Sequence, residues 1–170
     1  MTTELPDVDR EAALAMWREY AAAAQLEHRE EPVIECFGDS PQLADELLDA
    51  VRYGDKRATS SVVNEYAYWD EKLPEAGKYW VICDGAGQPQ LIVRIDSVEL
   101  SSFYEVDAEF AAAEGEGDRS LEHWRTEHAK FWTRTHQAMG VEWTPEMTQK
   151  PGHEIVKERF SIVWPPANAD

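Results

Sequence analysis

The sequence predicts an α+β domain, in which a small and mostly antiparallel sheet is flanked by helices. Apolar side chains recur at helical spacing before Gly54 and again after Ser120, which predicts two amphipathic helices. A tight glycine turn, Asp84–Gly87, separates two apolar runs and indicates a β-hairpin. With 170 residues, of which 43% are hydrophobic, the chain can bury one core without a metal ion or a disulfide.

The first element is a helix predicted from about Val8 to Ala24. Leu14, Trp17 and Ala21 form an apolar stripe on it, and a charged linker follows at Leu26–Glu31. We expect the stripe to pack on the rest of the protein, and the alternative is that it mediates dimerisation. The chain is accordingly divided into a helix and linker over residues 1–31, a domain over residues 32–166 and a tail over residues 167–170.

The second helix is predicted over Ser40–Tyr53 because its boundary signals are complete. Ser40 is a suitable N-cap, Pro41 suits the first helical position, and Gly54 follows the last turn. The run Ala58–Val63 is small, hydroxylated and β-branched, which predicts a strand. The chain therefore passes from a helix through a short turn into a strand.

The remaining elements are predicted from apolar runs and turn residues. A long aromatic loop is expected over Asn64–Gly77, ahead of the hairpin. The predicted strands are Lys78–Cys83, Gln90–Leu100 and the closing strand Ile155–Trp164, and the predicted helices are a short one near Val106–Ala113 and a longer one over Ser120–Met139. The two cysteines, Cys36 and Cys83, lie in apolar contexts and are expected to be reduced thiols.

Lys56 and Thr59 carry the strongest functional signal, because they place an amine and a hydroxyl at the start of the predicted strand. A threonine hydroxyl is a weak nucleophile until a base removes its proton, and a lysine acts as a base only when its pKa is lowered. Taken alone, the pair fits a structural interpretation better. Lys56 would then complement the dipole at the helix end, and Thr59 would be an ordinary strand residue.

The motifs around this turn together resemble the ASCH domain family, whose members are small PUA-like β-barrels. The order of helix, Gly-x-Lys-x-x-Thr at Gly54–Thr59 and strand is similar to the opening of that domain. Further motifs that resemble the longer bacterial subgroup are Phe37–Pro41, Leu73–Gly77, Val106–Phe110, Glu114–Leu121 and Glu158–Val163. The resemblance covers about Val33 to Pro165. It implies a barrel of about five to six mostly antiparallel strands with flanking helices and an extra N-terminal helix.

The resemblance also implies catalytic residues, namely Lys56, Thr59 and Glu114, if the protein acts like the amidohydrolases of the family. Glu116 is a rival for the carboxylate, because the short and long subgroups differ in spacing at this point. Where those enzymes carry an arginine, two residues after the threonine, this chain has Ser61. The substrate and mechanism therefore do not carry over unchanged.

Candidate ligand contacts are aromatic, hydroxyl and charged side chains in or beside these motifs. Tyr66 and Trp69 lie in the predicted loop after the strand, where an aromatic ring can cover a base. Arg159 lies in the last strand, where an arginine needs an acid or a phosphate as its partner. The full set of candidates is Arg57, Ser61, Tyr66, Trp69, Glu116, Arg119 and Arg159.

The charge of the chain limits its partners. Sixteen basic side chains face 34 acidic ones, which gives a net charge of −18. Because a protein that grips a long phosphate backbone needs a basic stripe, any contact with RNA is expected to be local. No apolar window reaches the length of a membrane span, and the N-terminus lacks the features of a signal peptide. We therefore expect a cytoplasmic monomer or homodimer that does not bind membranes.

No cofactor is expected. Glu114, Glu116 and Asp118 have the spacing of a calcium loop, but Arg119 and Arg125 stand where such a loop needs glycine and glutamate. The histidines show no zinc motif. The acidic run leaves room only for a loosely bound divalent cation.

Three functions are compatible with the sequence. The leading one is binding of RNA or a nucleoside-type ligand in the barrel cleft, with ribonuclease-type hydrolysis in which Lys56 stabilises charge and a glutamate moves protons. The first alternative is an amidohydrolase of N4-acylated cytidine that uses Thr59, Lys56 and Glu114. The second is a non-catalytic module that binds RNA or a modified nucleotide, with Lys56 as a phosphate contact.

Overall fold

The computed structural model describes residues 4–170. Its α-helices are α1 (Arg10–Ala23), α2 (Pro41–Arg52), α3 (Val63–Tyr68), α4 (Ala108–Glu114) and α5 (Leu121–Ala138). Its strands are β1 (Val33–Cys36), β2 (Ala58–Val62), β3 (Tyr79–Cys83), β4 (Pro89–Ser101) and β5 (Ile155–Trp164). Short 3₁₀ helices lie at Phe103–Glu105 and Pro145–Gln149.

The strands form a mixed sheet in the order β1–β3–β4–β5–β2. β1 runs parallel to β3, and β3 runs antiparallel to β4 through the predicted glycine turn. β2 pairs antiparallel with β5, from Ala58 opposite Arg159 to Val62 opposite Ile155. The predicted α+β class and its mostly antiparallel sheet are confirmed, with five strands.

The chain divides into two compact units. The first contains the described residues up to Gly54, together with Ala76–Asp96 and Phe160–Asp170. In this unit, Leu48 and Val51 of α2 belong to one apolar cluster with side chains of β3, β4 and β5. A second cluster joins α1 to Val81 and Ile92 of the strands. In this unit, α2 therefore packs on one apolar cluster of the sheet and α1 packs on the other.

α1 packs through a face slightly different from the predicted one. Its buried residues are Ala13, Trp17, Tyr20 and Ala21, whereas Leu14 is only half-buried. Asp9 caps the helix, and its carboxylate accepts a hydrogen bond from the Ala12 N–H over 3.0 Å. None of the helices in residues 4–170 combines the length and apolar character that crossing a bilayer requires.

The second unit consists of Asp55–Glu75 and Ser97–Arg159. Its core is strongly aromatic and is built on Phe103, Phe110, Trp124, Trp132 and Trp143, which surround Ala58, Val62 and Ile155. Four residues of α5 recur at intervals of four and are buried, namely Trp124, His128, Trp132 and His136. Across the chain, five of the seven tryptophans are buried in apolar clusters and are therefore not available to stack on a base.

Two elements of the structure, α3 and β1, differ from the sequence prediction. The expected loop after β2 begins with α3, where the Glu65 carboxylate accepts a hydrogen bond from the Val62 N–H over 3.4 Å. This side-chain contact satisfies a backbone donor that a helix start leaves open. β1 was not predicted, because its four residues are too short for a periodic signal and its pairing with β3 is non-local.

Candidate functional site

β2 presents different side chains on its two faces. Ala58 and Val62 lie in the aromatic core of the second unit, so Ser60, between them in alternation, faces the same side. Thr59 and Ser61 therefore face the opposite side of the strand. Thr59, the predicted partner of Lys56, therefore faces away from the core. Ser60 is the hydroxyl residue that faces the core instead.

Lys56 lies just before β2 and is almost completely buried, with 1% of its side chain exposed. Its Nζ is 2.8 Å from the carbonyl oxygen of Ala58 and 3.2 Å from that of Glu114. A carboxylate oxygen of Glu116 is a further acceptor, also at 3.2 Å. Each of these oxygens can only accept a hydrogen bond, so the contacts suit the N–H donors of an ammonium.

α4 brings Glu114 to this lysine. Asp107 caps the helix, and Gly115 ends it in the left-handed conformation with φ of 67°. The end of the helix is pressed against the turn before β2, because a Cβ added at Gly115 would lie 3.0 Å from the Cα of Lys56. Arg57 adds a backbone link, since its N–H donates to the Ala113 carbonyl over 2.8 Å. The carboxylate of the last helical residue is thereby fixed beside Lys56.

Glu114 is also buried, and its Oε2 atom accepts three hydrogen bonds. Ser60 Oγ donates over 2.7 Å, the indole N–H of Trp124 donates as well, and His128 Nε2 lies 3.2 Å away. The second oxygen, Oε1, is 3.6 Å from Lys56 Nζ. A buried carboxylate is tolerated only when it is paired and hydrogen-bonded, and Glu114 meets both conditions.

His128 connects this carboxylate to α5. Its Nδ1 lies 2.8 Å from the Trp124 carbonyl oxygen, and its ring stacks on the Trp124 indole at a centroid distance of 4.3 Å. Together, Lys56, Ser60, Glu114, Glu116, Trp124 and His128 form what we call the Lys56–Glu114 cluster. These residues come from the turn before β2, from β2, from α4 and the turn after it, and from α5.

Opposite effects act on the ionisable groups of this cluster. Burial alone would raise the pKa of Glu114, but the charges of His128 and Lys56 and the hydrogen bonds to the carboxylate lower it to about 2. Burial alone would lower the pKa of His128, but the charge of Glu114 and the hydrogen bond to it raise the pKa above its ordinary value. Glu114 is therefore ionised at neutral pH and is a poor proton donor.

Glu116 is the carboxylate of the cluster that reaches solvent. Its carboxylate binds Lys56 Nζ, yet 24% of its side chain is exposed, against 1% for Glu114. The turn that carries it is closed by the Arg119 N–H, which donates to the Glu116 carbonyl over 2.9 Å. A ligand that approaches the cluster would meet a carboxylate first.

The cluster also has the donor atoms of a metal site. Ligand atoms of Glu114, Glu116 and His128 lie within 4.8 Å of one another. Lys56 Nζ stands 3.2 to 3.6 Å from the two carboxylates, so an ammonium already supplies the positive charge that a metal ion would bring. We therefore treat these residues as an ionic hydrogen-bond cluster and not as metal ligands.

A second polar group lies around α3. Ser61 Oγ and the Tyr66 hydroxyl are 2.7 Å apart, so two predicted ligand contacts bind each other. Glu65 is mostly buried, and this burial raises its pKa to about 7. His136 lies 4.0 Å from the Glu65 carboxylate, but burial lowers the pKa of His136, so the neutral ring brings no charge to the pair.

The other predicted contact residues make contacts outside the Lys56–Glu114 cluster, and most of these contacts are exposed. Trp69 is 62% exposed, and its ring meets the Tyr68 ring edge-on at 4.8 Å. Arg119 pairs with Asp55 at 3.2 Å. Arg159 is 3.9 Å from a Glu109 carboxylate oxygen and stands over the Phe110 ring. Arg57 donates to the Lys56 carbonyl over 2.7 Å.

The structure thus brings Lys56, Glu114 and Glu116 together and adds three residues that the sequence did not single out. Ser60 was overlooked because strand register decides which hydroxyl of Thr59–Ser60–Ser61 faces the core. Trp124 and His128 lie on the buried face of α5, where their helical spacing indicates packing first. Their spacing of four, on a helix that follows an acidic turn, was the available signal that this face also makes polar contacts.

Comparisons with known proteins agree with this architecture. A family model described as the ASCH domain matches residues 33–164. A crystal structure of a protein from Enterococcus faecalis V583 is 29% identical, with a TM-score of 0.78 and coverage of 89% of this chain and 88% of that one. A crystal structure of an ASCH domain from Lactobacillus crispatus JV V101 is 28% identical, with a TM-score of 0.77 and coverage of 92% and 96%, respectively.

No curated protein matches the chain. The family match covers most of the sequence, and both solved structures cover nearly all of it with the same fold. The chain belongs to the ASCH domain family and has its PUA-like fold.

Proposed function

We propose that this ASCH domain binds single-stranded RNA, or a nucleoside-type ligand, at the exposed edge of the Lys56–Glu114 cluster and hydrolyses RNA as a ribonuclease. The observation that carries the proposal is the placement of Glu116. Its carboxylate is held by a buried ammonium at 3.2 Å and is still 24% exposed. A carboxylate that is fixed in position and still open to solvent can come within hydrogen-bond distance of a ligand hydroxyl, which is the first requirement of a general base.

Glu116 suits the role of base better than Glu114. A base must come within hydrogen-bond distance of the proton that it removes, and Glu114 is 99% buried, with one oxygen already accepting three donors. Lys56 is equally buried, so it acts on the reaction by holding Glu116 and not by touching the phosphate.

The proposed step is a transesterification within the RNA. Glu116 accepts the proton of a ribose 2′-hydroxyl, the 2′ oxygen bonds to the adjacent phosphorus, and the bond from phosphorus to the 5′ oxygen breaks. The leaving oxygen takes a proton from water, and the protonated Glu116 returns its proton to the hydroxide formed. The phosphate also needs a cation. The nearest ones in sequence are Arg57, next to Lys56, and Arg119, in the turn that carries Glu116.

The net charge of −18 favours contact with one or a few nucleotides over contact with a long stretch of RNA. Because the cluster meets the ligand with a carboxylate, hydroxyl and amino groups of a nucleoside are better partners there than a phosphate is.

The amidohydrolase alternative fits less well. Thr59 faces away from Glu114, and Lys56 has the acceptors of an ammonium, which cannot serve as a base.

The test uses a labelled single-stranded RNA that contains all four nucleotides. We expect cleavage to give 2′,3′-cyclic phosphate ends, to persist in EDTA and to stop at 2′-deoxy positions. Glu116→Gln should reduce the rate by about 100-fold or more, whereas Glu122→Gln, at an exposed glutamate of α5, should not.

Three other outcomes contradict the proposal in whole or in part. Equal cleavage by Glu116→Gln and the native protein would remove the proposed base. Turnover of N4-acetylcytidine that requires Thr59 would favour the amidohydrolase, and RNA binding without cleavage would favour a binding module whose affinity falls steeply with salt.

A further inference from the structure

His128 has an acceptor beside each of its ring nitrogens. Nδ1 lies 2.8 Å from the Trp124 carbonyl oxygen, which can only accept a hydrogen bond. Nε2 lies 3.2 Å from Oε2 of Glu114, which also accepts from Ser60 and Trp124. Because the indole N–H is only a donor, Oε2 must be an acceptor in this arrangement.

A neutral imidazole cannot satisfy both contacts. It carries one N–H, so one of its nitrogens would present a lone pair to an oxygen lone pair. The doubly protonated ring donates to both oxygens, and burial makes the unsatisfied alternative costly. Because Glu114 is ionised, this geometry requires a positive charge on His128.

The charges of the cluster lead to the same conclusion. Glu114 from α4 and Glu116 from the turn after it face His128, and Lys56 from the turn before β2 is the other cation of the group. With His128 protonated, two carboxylates are balanced by two cations. With His128 neutral, two carboxylates would face one ammonium, and the uncompensated negative charge in a buried site would be unfavourable.

We propose that His128 is a positioning residue, whose doubly protonated ring fixes Glu114 and so keeps Lys56 and Glu116 in place. When the ring loses its proton, the excess negative charge is relieved most easily by Glu116, which is the exposed carboxylate. Glu116 then leaves Lys56. The effect on catalysis rests on the proposed function, but the protonation state of His128 does not.

Nuclear magnetic resonance of the ¹⁵N-labelled full chain tests the protonation state directly. Replacing three histidines, with His28→Gln, His123→Gln and His153→Gln, leaves His128 and His136 to be distinguished by contacts to the Trp124 ring. At pH 7, we expect both nitrogens of His128 to have the chemical shifts of protonated ring nitrogens. A signal of an unprotonated nitrogen at that pH would overturn the proposal.

The rate of RNA cleavage as a function of pH tests the positioning role. The native rate should fall at high pH, over the range in which the ¹⁵N signals show His128 losing its proton. His128→Gln should lower the rate by about 100-fold and remove this alkaline decline, because no titrating group remains at the position. His28→Gln, at an exposed histidine, should keep the native profile.

The two experiments separate the proposals. Protonated His128 in a protein that cleaves no RNA would contradict the ribonuclease and leave the ionic arrangement standing. RNA cleavage by a protein whose His128 is neutral at pH 7, or whose alkaline decline survives in His128→Gln, would contradict the positioning role alone. Because the spectrum is recorded with His128 present, poor folding of His128→Gln does not affect that result.

Discussion

Ser60 Oγ donates a hydrogen bond over 2.7 Å to Oε2 of Glu114, a residue 54 positions later in the chain. The bond joins the middle of β2 to the last turn of α4. It also shows which face of β2 is turned toward the ionised cluster, since Thr59 and Ser61 alternate with Ser60. The hydroxyl that supports the carboxylate is therefore next to the one that the family motif emphasises.

Removing this hydroxyl should destabilise the protein more than removing its neighbour. Ser60→Ala takes away a charge-assisted hydrogen bond from a buried carboxylate, and we expect the free energy of unfolding to fall by about 1.5–3 kcal/mol. Thr59→Val, on the opposite face, should change it by less than about 1 kcal/mol. Urea denaturation of both variants measures the difference. Equal losses would show that Ser60 does not support Glu114.

Lys56 should be essential for stability as well as for the site. Lys56→Met leaves Glu114 and Glu116 without their ammonium, and breaking a buried ion pair from one side costs about 3–5 kcal/mol. Lys72→Met, at an exposed lysine, is the control and should have little effect. The two can be compared by chemical denaturation at pH 7. A stability loss below about 1 kcal/mol in Lys56→Met would contradict the pairing.

Gly115 offers a test of the contact between α4 and the turn before β2. Its φ is 67°, and a Cβ would lie 3.0 Å from both the backbone nitrogen and the Cα of Lys56. Gly152 also has a positive φ, of 88°, but no atom lies within 4 Å of its added Cβ. Gly115→Ala should therefore lose more stability than Gly152→Ala, by about 1–3 kcal/mol. Similar losses in thermal denaturation would mean that the helix end can move away from Lys56.

Local signals predicted most of the secondary structure. Ser40, Pro41 and Gly54 mark the ends of α2 within a residue or two, and the strand Ile155–Trp164 has the predicted bounds. The first five residues of the expected loop, 64–68, belong to α3, because a contact from Glu65 satisfies the start of that helix. β1 depends on pairing with β3 and carries too few residues to be recognised alone.

The site was only partly predictable for a related reason. A motif shows that Lys56 and Glu114 belong to one site, but it does not show how far each is buried. Burial decides that Glu116, and not Glu114, reaches solvent. The pairing of His128 with Glu114 depends on how α5 packs against α4, and residue spacing does not contain that information.

Glu65 should make the stability of the protein depend on pH. Its side chain is only 21% exposed, and this burial raises the pKa of Glu65 to about 7. The folded state therefore binds a proton more tightly than the unfolded chain does. Between the ordinary pKa of 4.5 and about 7, the contribution of Glu65 to stability falls as the pH rises, and it stays low above that range.

Glu65→Gln isolates this contribution, because the amide has the same shape and does not ionise. The free energy of unfolding of the variant, relative to the native protein, should increase from pH 4.5 to pH 8, by about 1–3 kcal/mol. Other titrating groups, including His128, are present in both proteins and cancel in the difference. Glu71→Gln, at an exposed glutamate, should show no such trend. Urea denaturation at pH 5 and pH 8 measures this difference. If the stability of Glu65→Gln relative to the native protein is no higher at pH 8 than at pH 5, the surroundings of Glu65 do not disfavour its charged form.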